Sequence, residues 1–527
     1  MEAIPLRAKI GQLIVTGFPA AAMTGDLKRL IRDYKIGNII LFSPNAANKT
    51  QLGALCAELQ RTIAAETGHP ALIAIDQEGG RVARLPADAS NAPGAMAIAA
   101  TGRPENAYAA GRLTARELRA LGINFNLAPV LDINNNKANP VINVRSYGDA
   151  AETVEAYALP MMRGLRDEGV LAAVKHFPGH GDTAVDSHLG LPVIGKTLAE
   201  LRELELKPFR AAIAAGAEAI MSSHILFPRI EAERVPATMS RTIVTDLLKR
   251  ELGFDGLVVS DCLEMDAIKR YYGTARGALG ALKAGVHLLF VSHTPALVME
   301  TSELIERAVA SGELAESVID DALAKVLAVK AKYAAAREPG GEAELAVVGS
   351  DVHRRAVSAM SMESICLVAG GLRTVRKGGG DAFFVGTLPY RTDRASSGAK
   401  AGLSFPAAMG AAFGAPIAEV GIDPGEAEIA RTLALAAGCA HVVVGLYNGR
   451  ENPGQLKLVE RLAADGRAVT AVALGKPYDL EALPAGVCGL AAFEYTPLAL
   501  DSLIAVLGGD AEPTGRIPLA GFAGAAR

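Results

Sequence analysis

The sequence predicts an α/β protein, with a (β/α)8 TIM-type barrel followed by a smaller α/β domain built as a three-layer sandwich. Three observations carry this prediction. Short apolar runs bounded by Gly, Pro, Asp or Asn recur eight times in about the first 300 residues, most of them followed by a stretch with helical periodicity. Ionisable residues gather where those runs end. A Pro/Gly-bearing segment then separates this series from a second, shorter one. A doubly wound open sheet would show the same alternation, and the count of eight favours the barrel.

The eight runs span 12–18, 36–42, 71–76, 123–131, 170–175, 217–224, 256–261 and 286–292. Helical stretches at 51–65, 152–166, 198–215, 241–252 and 295–310 separate them, and a long helix is predicted over 314–332. Asp76, Asp132, Lys175, His176, His224 and Asp261 sit at or just past the ends of their runs. In a barrel the carboxyl ends of the strands share one mouth, so these residues are expected to meet in one pocket. Strands are predicted beyond the barrel at 364–369, 382–386, 440–446, 469–475 and 489–493, with helices at 352–359, 425–437, 455–464 and 497–507. The expected division is a catalytic barrel over 1–335, a linker over 336–345 and the sandwich domain over 346–527.

Composition narrows the classes. Half of the 527 residues are hydrophobic, as suits a globular enzyme, and the net charge of -4 offers no electrostatic case for nucleic acid. The five cysteines, Cys56, Cys262, Cys366, Cys439 and Cys488, are scattered and lack CxxC spacing, which argues against a disulfide framework or a zinc knuckle. No apolar run reaches membrane-spanning length, and the N-terminus does not read as a secretory signal, so a cytoplasmic location is expected. Nothing in the sequence specifies an oligomeric state.

The densest chemistry lies in KHFPGHGDTAVDSH at 175–188, which packs six ionisable groups among Gly and Pro just after an apolar strand. The strand-end carboxylate Asp261 reads as a nucleophile, a metal ligand or a helix cap. Asp76 carries the same ambiguity, followed by a Gly pair and two arginines.

Seven blocks in order, DQEGGRVARL at 76–85, NFNLAPVLDI at 124–133, NPVINVRSYG at 139–148, the 175–188 segment, MSSHILFP at 221–228, PATMS at 236–240 and VVSDCLEMDAI at 258–268, resemble glycoside hydrolase family 3, in particular its β-N-acetylglucosaminidase branch. PTGRIPL at 513–519 resembles the end of that family's second domain. The resemblance implies that Asp261 is the nucleophile of a retaining mechanism. It implies that Asp186 and His188 form the acid/base pair, and that Asp76, Arg84, Arg145, Lys175 and His176 bind the sugar. It implies a terminal β-linked N-acetylglucosamine glycoside as substrate, such as a muropeptide fragment in cell-wall recycling, and neither cofactor nor metal.

The chemistry suits these residue types. A retaining glycosidase needs a nucleophile and one group that first donates and then accepts a proton. An imidazole with an unperturbed pKa of about 6.5 can do both, steadied by a neighbouring carboxylate. Two other mechanisms use the same residues. Zinc could be held by His176, His180, Asp182, Asp186 and His188, although Pro178 and Gly179 interrupt the helix that a four-residue His spacing favours. Phosphorolysis is a third route, because a neutral histidine repels an incoming phosphate less than a carboxylate does. Cys262 is read as a packed cysteine, His224 as a residue of the pocket wall, and His69, His287, His293, His353 and His441 as structural or surface histidines.

Overall fold

The computed structural model describes residues 4–184, 186, 190–334, 342–390 and 402–523. Eight parallel strands close into a barrel in chain order: β1 (Ile14–Thr16), β2 (Asn38–Leu41), β3 (Leu72–Ile75), β4 (Phe125–Asn126), β5 (Leu171–Phe177), β6 (Ala219–Ser222), β7 (Leu257–Cys262) and β8 (Leu288–Phe290). β8 pairs with β1 through Ile14↔Leu289 and Val15↔Phe290, which leaves no sheet edge. Each of the eight predicted runs overlaps one of these strands.

β4 is regular over only two residues of the run expected at 123–131. Pro129 lacks an N–H for the ladder, and pairing resumes beyond it as the isolated bridge Val130↔Lys175. Side chains compensate here: the Asn126 amide accepts from Gln77 N at 3.0 Å and donates to Gln77 O at 2.9 Å. That pair ties the exit of β3 to β4.

The helices form the outer layer. Those at Pro104–Ala120 and Ala151–Asp167 pack closely, since a Cβ at Gly111 would lie 2.4 Å from Met161 O and one at Gly164 would lie 2.4 Å from Tyr108 O. The single helix expected over 198–215 is broken into Leu198–Glu203 and Leu206–Ala214. The break falls at Glu205, a buried carboxylate that pairs with Lys196 and accepts from Asn135 Nδ2 at 2.9 Å, bonds that a surface position on a continuous helix would not reach.

The linker expected at 336–345 lies mostly outside the described residues, and its last four, Glu342–Leu345, form a helical turn. Beyond it stands a six-stranded sheet. In chain order its strands are β9 (Cys366–Ala369), β10 (Ala382–Thr387), β11 (Ile417–Val420), β12 (His441–Leu446), β13 (Ala468–Ala473) and β14 (Cys488–Ala491). The spatial order is β11-β10-β12-β13-β14-β9, with β9 antiparallel to β14 and the other pairings parallel.

The two faces separate with a period of two. Val442, Val444, Ala471 and Ala473 join a core with Ile429, Leu458 and Leu462, whereas Val443 and Val472 join one with Phe405, Met409 and Leu503. Helices thus cover both faces, as a three-layer sandwich requires. Strand β11 and the helix Phe405–Phe413 were not foreseen from the sequence. β11 is an edge strand whose residues are mostly exposed, so it lacks the apolar run that announces the others.

The two parts of the chain interlock. Met96, Ala97, Ala100 and Val144 pack into the first of those sheet cores. Asn134 Nδ2 donates to the Tyr478 hydroxyl at 2.9 Å, and Gly94 N donates to Glu494 Oε2 at 2.8 Å. Burial pushes the Glu494 carboxyl up, away from its charged form. Among the described residues no helix is long and apolar enough to cross a membrane.

Candidate active site

A cavity of about 780 Å³ opens at the carboxyl ends of the barrel strands. Of the residues expected to bind sugar, Asp76, Arg84, Arg145, Lys175 and His176 all line it, and so does Asp261. These residues come from four separate stretches of chain, brought together because every strand of a closed parallel barrel ends on the same face.

Asp76 follows β3, and Lys175 lies inside the end of β5. Lys175 Nζ donates to Asp76 Oδ1 at 2.8 Å and contacts Glu78 Oε1 at 2.7 Å. Arg145, in the short turn Asn143–Arg145, grips the same Glu78 with both arms of its fork: Nε to Oε2 at 2.9 Å and Nη2 to Oε1 at 2.7 Å. Two carboxylates and two cations therefore form one lattice on the β3–β5 side of the cavity.

Lys175 is 2% exposed and Arg145 is 6% exposed, so only this mutual pairing makes their burial tolerable. Burial alone would raise the Glu78 pKa. The charges of Arg145 and Lys175 outweigh it and hold the carboxyl below its usual range. Burial likewise works against the Lys175 ammonium, and Asp76 and Glu78 overcome it to raise its pKa.

Glu78 was not singled out in the sequence, although it sits two positions after Asp76 in a block with two arginines. Asp132 stood out only as a strand-end acid. It is fully buried and organises both nearby histidines: its carboxylate accepts from His176 N at 3.2 Å and His180 N at 2.6 Å, and meets His176 Nδ1 at 2.6 Å. That contact engages Nδ1 of His176 and leaves Nε2 as the ring nitrogen for the cavity that His176 lines. Burial opposes the charge on Asp132, but the interactions with His176 and His180 keep its pKa lowered.

His180 also lines the cavity, with Nδ1 3.0 Å from Thr183 Oγ1. Burial, reinforced by His176, pushes its pKa down to about 4, so the ring is neutral at neutral pH. Among the described residues no group of three or more His, Cys, Asp and Glu is arranged to hold a metal ion.

The loop after β5 is pinned against the chain after β4. Asn139 Nδ2 donates to His180 O at 2.9 Å and Gly181 O at 2.8 Å. A Cβ at Gly181 would lie 1.6 Å from Ile133 O, so only glycine permits this approach. Farther along, Asp186 is buried, whereas Ser187 and His188 lie outside the described residues.

Across the cavity, β7 carries Asp261 next to its last residue, and Asp261 Oδ1 accepts from Cys262 N at 2.7 Å. His224, expected in the wall, is not among the residues lining the cavity. Its Nδ1 meets Thr238 Oγ1 at 2.9 Å and its Nε2 meets Cys262 O at 3.0 Å, bracing the strand end that carries Asp261. Cys262, read as a packed cysteine, and His293, read as a structural or surface residue, also line the cavity, His293 from an exposed position. No residue beyond His293 does so among those described, and the sheet domain acts from behind through Glu494 on Gly94.

A closed parallel barrel with its polar cavity at the carboxyl strand ends has the architecture of a TIM-barrel enzyme. The sequence model of the glycosyl hydrolase family 3 N-terminal domain matches residues 5–329, and the chain belongs to that family. It is 34% identical over 377 residues to β-hexosaminidase A of Pseudoalteromonas piscicida, a match that covers 66% of this chain and 62% of the relative. The chain thus spans a little under two thirds of that protein's length. A β-hexosaminidase of Thiobacillus denitrificans is 37% identical over 281 residues, 52% of this chain and 76% of its own. The solved structure of a family 3 β-N-acetylglucosaminidase from Paenibacillus sp. matches with a TM-score of 0.90 at 39% identity, covering 98% of this chain and 99% of its own.

Proposed function

We propose that the chain is a retaining, exo-acting β-N-acetylglucosaminidase that removes terminal non-reducing β-linked N-acetylglucosamine without metal or organic cofactor. One observation carries the reading: the Asp261 carboxylate shares a single cavity with the Asp76–Lys175–Glu78–Arg145 lattice and His176. A nucleophile thus faces a rigid set of hydroxyl and amide binders. The similarity to β-hexosaminidases and to the Paenibacillus β-N-acetylglucosaminidase supports the choice of sugar.

In the proposed first step Asp261 attacks the anomeric carbon as the glycosidic C–O bond breaks, and protonated His188 gives its proton to the leaving oxygen. The Asp261 carboxylate stabilises the developing oxocarbenium charge, and the 175–188 motif assigns Asp186 to the imidazole as its partner. In the second step neutral His188 takes a proton from water, whose oxygen attacks the anomeric carbon and releases Asp261. His188 lies outside the described residues, so its role rests on the 175–188 motif.

Asp76, Arg84, Arg145, Lys175 and His176 bind the sugar. We assign this chemistry to residues 1–335 and a supporting role to residues 346–527. A cytoplasmic place, in keeping with five free cysteines, and a cell-wall fragment as substrate complete the proposal.

The test is kinetics of wild type, Asp261→Ala and His188→Ala on aryl β-N-acetylglucosaminides with good and poor leaving groups, with the first-formed anomer followed by NMR. The β-anomer should appear first, Asp261→Ala should be inactive, and His188→Ala should lose most on the poorest leaving group. Full turnover by Asp261→Ala, or an α-anomer formed first, would refute the mechanism. Release of sugar 1-phosphate in phosphate buffer would assign phosphorolysis instead.

A further inference from the structure

We infer that Phe42 and His293 form a leaving-group subsite, a ring platform at the cavity mouth that receives the sugar ring on the far side of the scissile bond. The inference rests on the glycosidase reading above and extends it to the leaving group.

The lattice that would hold the cleaved sugar lies on the β3–β5 side. The opposite side of the same cavity is built differently. Phe42, just after β2, and His293, just after β8, stand with ring centroids 4.8 Å apart and planes 33° from parallel. Both line the cavity, Phe42 half-buried and His293 exposed, so the pair forms part of the rim. Asp261, on β7, borders the same space. A sugar held by the β3–β5 lattice with its anomeric carbon at Asp261 would have room beside it, because 780 Å³ is more than a single pyranose fills.

The loops that carry both rings are braced. The Asn45 side chain accepts from Phe42 N at 2.8 Å and donates to Phe18 O at 2.8 Å and Ala20 O at 2.7 Å. Glu264 accepts from His293 N at 2.7 Å, from Thr294 N at 3.0 Å and from the Thr294 hydroxyl at 2.6 Å. Two separate polar side chains thus immobilise the backbone beneath one half-buried and one exposed ring. A rigid, partly solvated ring surface beside a polar clamp suits the C–H face of a pyranose, which presents apolar area between its hydroxyls. The occupant is therefore a ring-bearing leaving group, a second pyranose or an aryl group, rather than a flexible chain.

The test compares two substrates in wild type, Phe42→Ala and His293→Ala: β-1,4-linked di-N-acetylglucosamine, which has a leaving sugar, and N-acetyl-β-glucosaminyl fluoride, which has none. The ratio of kcat/KM for the disaccharide to that for the fluoride should fall by about tenfold or more in each variant. A ratio within about twofold of wild type overturns the platform while leaving the glycosidase reading intact. A wild type that cleaves neither substrate overturns both. The fluoride reports any general loss of folded enzyme, so misfolding cannot mimic the expected change in ratio.

Discussion

Glu78→Gln is the sharpest probe of the site, because one buried carboxylate holds two of its cations. Glu78 meets Lys175 at 2.7 Å and Arg145 at 2.7 and 2.9 Å. The amide keeps the shape, removes the charge and turns an NH2 group toward one of the two donors. Lys175 would then keep Asp76 as its carboxylate partner, and Arg145 would keep its Nη1 contact to Val141 O at 3.2 Å. Removing one partner from a buried ion pair costs about 3–5 kcal/mol, and the oxygen that glutamine retains places this variant at the lower end, about 3 kcal/mol. At roughly 2 °C per kcal/mol for a large domain, the melting temperature should fall by about 6 °C at pH 7.

The Glu78 contribution also has a pH signature. Its folded pKa lies below the ordinary value of 4.5, so its stabilisation is complete above about pH 4.5 and is lost as pH falls toward the folded value. The gap between wild type and variant should therefore be flat from pH 7 to about 5 and narrow below it. KM for an aryl β-N-acetylglucosaminide should rise in parallel. Differential scanning calorimetry from pH 3 to 7 together with steady-state kinetics checks both. A melting temperature within about 1 °C of wild type at pH 7, with KM unchanged, would refute the account of the lattice.

Two further perturbations follow from the same structure. Asp132→Asn weakens the anchor of His176 Nδ1 and of two backbone amides, so kcat/KM should fall by about a hundredfold with a smaller loss of stability, and wild-type turnover would remove Asp132 as a positioning residue. Lys330 is fully buried, with Nζ on Gln12 Oε1 and Gly37 O, and burial pushes its pKa down to about 7. The unfolded chain then binds more protons between pH 7 and about 10.5, so this residue makes stability rise with pH in that window, by about 5 kcal/mol in total. Lys330→Met should flatten that rise in chemical denaturation, and an identical slope in both proteins would contradict it.

The barrel was legible because its signals are local. Each strand is a short apolar run and most exits carry a polar residue, and the count of eight favoured a closed barrel over an open sheet. Strand β11 escaped because an exposed edge strand needs no apolar run. The break at Glu205 escaped because its partners, Asn135 and Lys196, come from other segments. The site divides in the same way. Asp76, Asp132, Lys175, His176 and Asp261 announce themselves by ending strands, whereas Glu78 looks like an ordinary acid until its partners are known.

By itself the sequence determined the alternation of strands and helices, the family resemblance and most of the polar residues that face the barrel mouth. Periodicity and strand-end chemistry are properties of neighbours along the chain. Only the tertiary structure decided that Glu78 joins Lys175 to Arg145, that Asp132 orients His176, that His224 braces a strand instead of lining the cavity, and that Phe42 meets His293 across the β1 side of the rim. Those are contacts between residues as many as 251 positions apart, from Phe42 to His293. Their geometry follows from the closure of the barrel, which sets side chains from separate strands within hydrogen-bonding distance of one another.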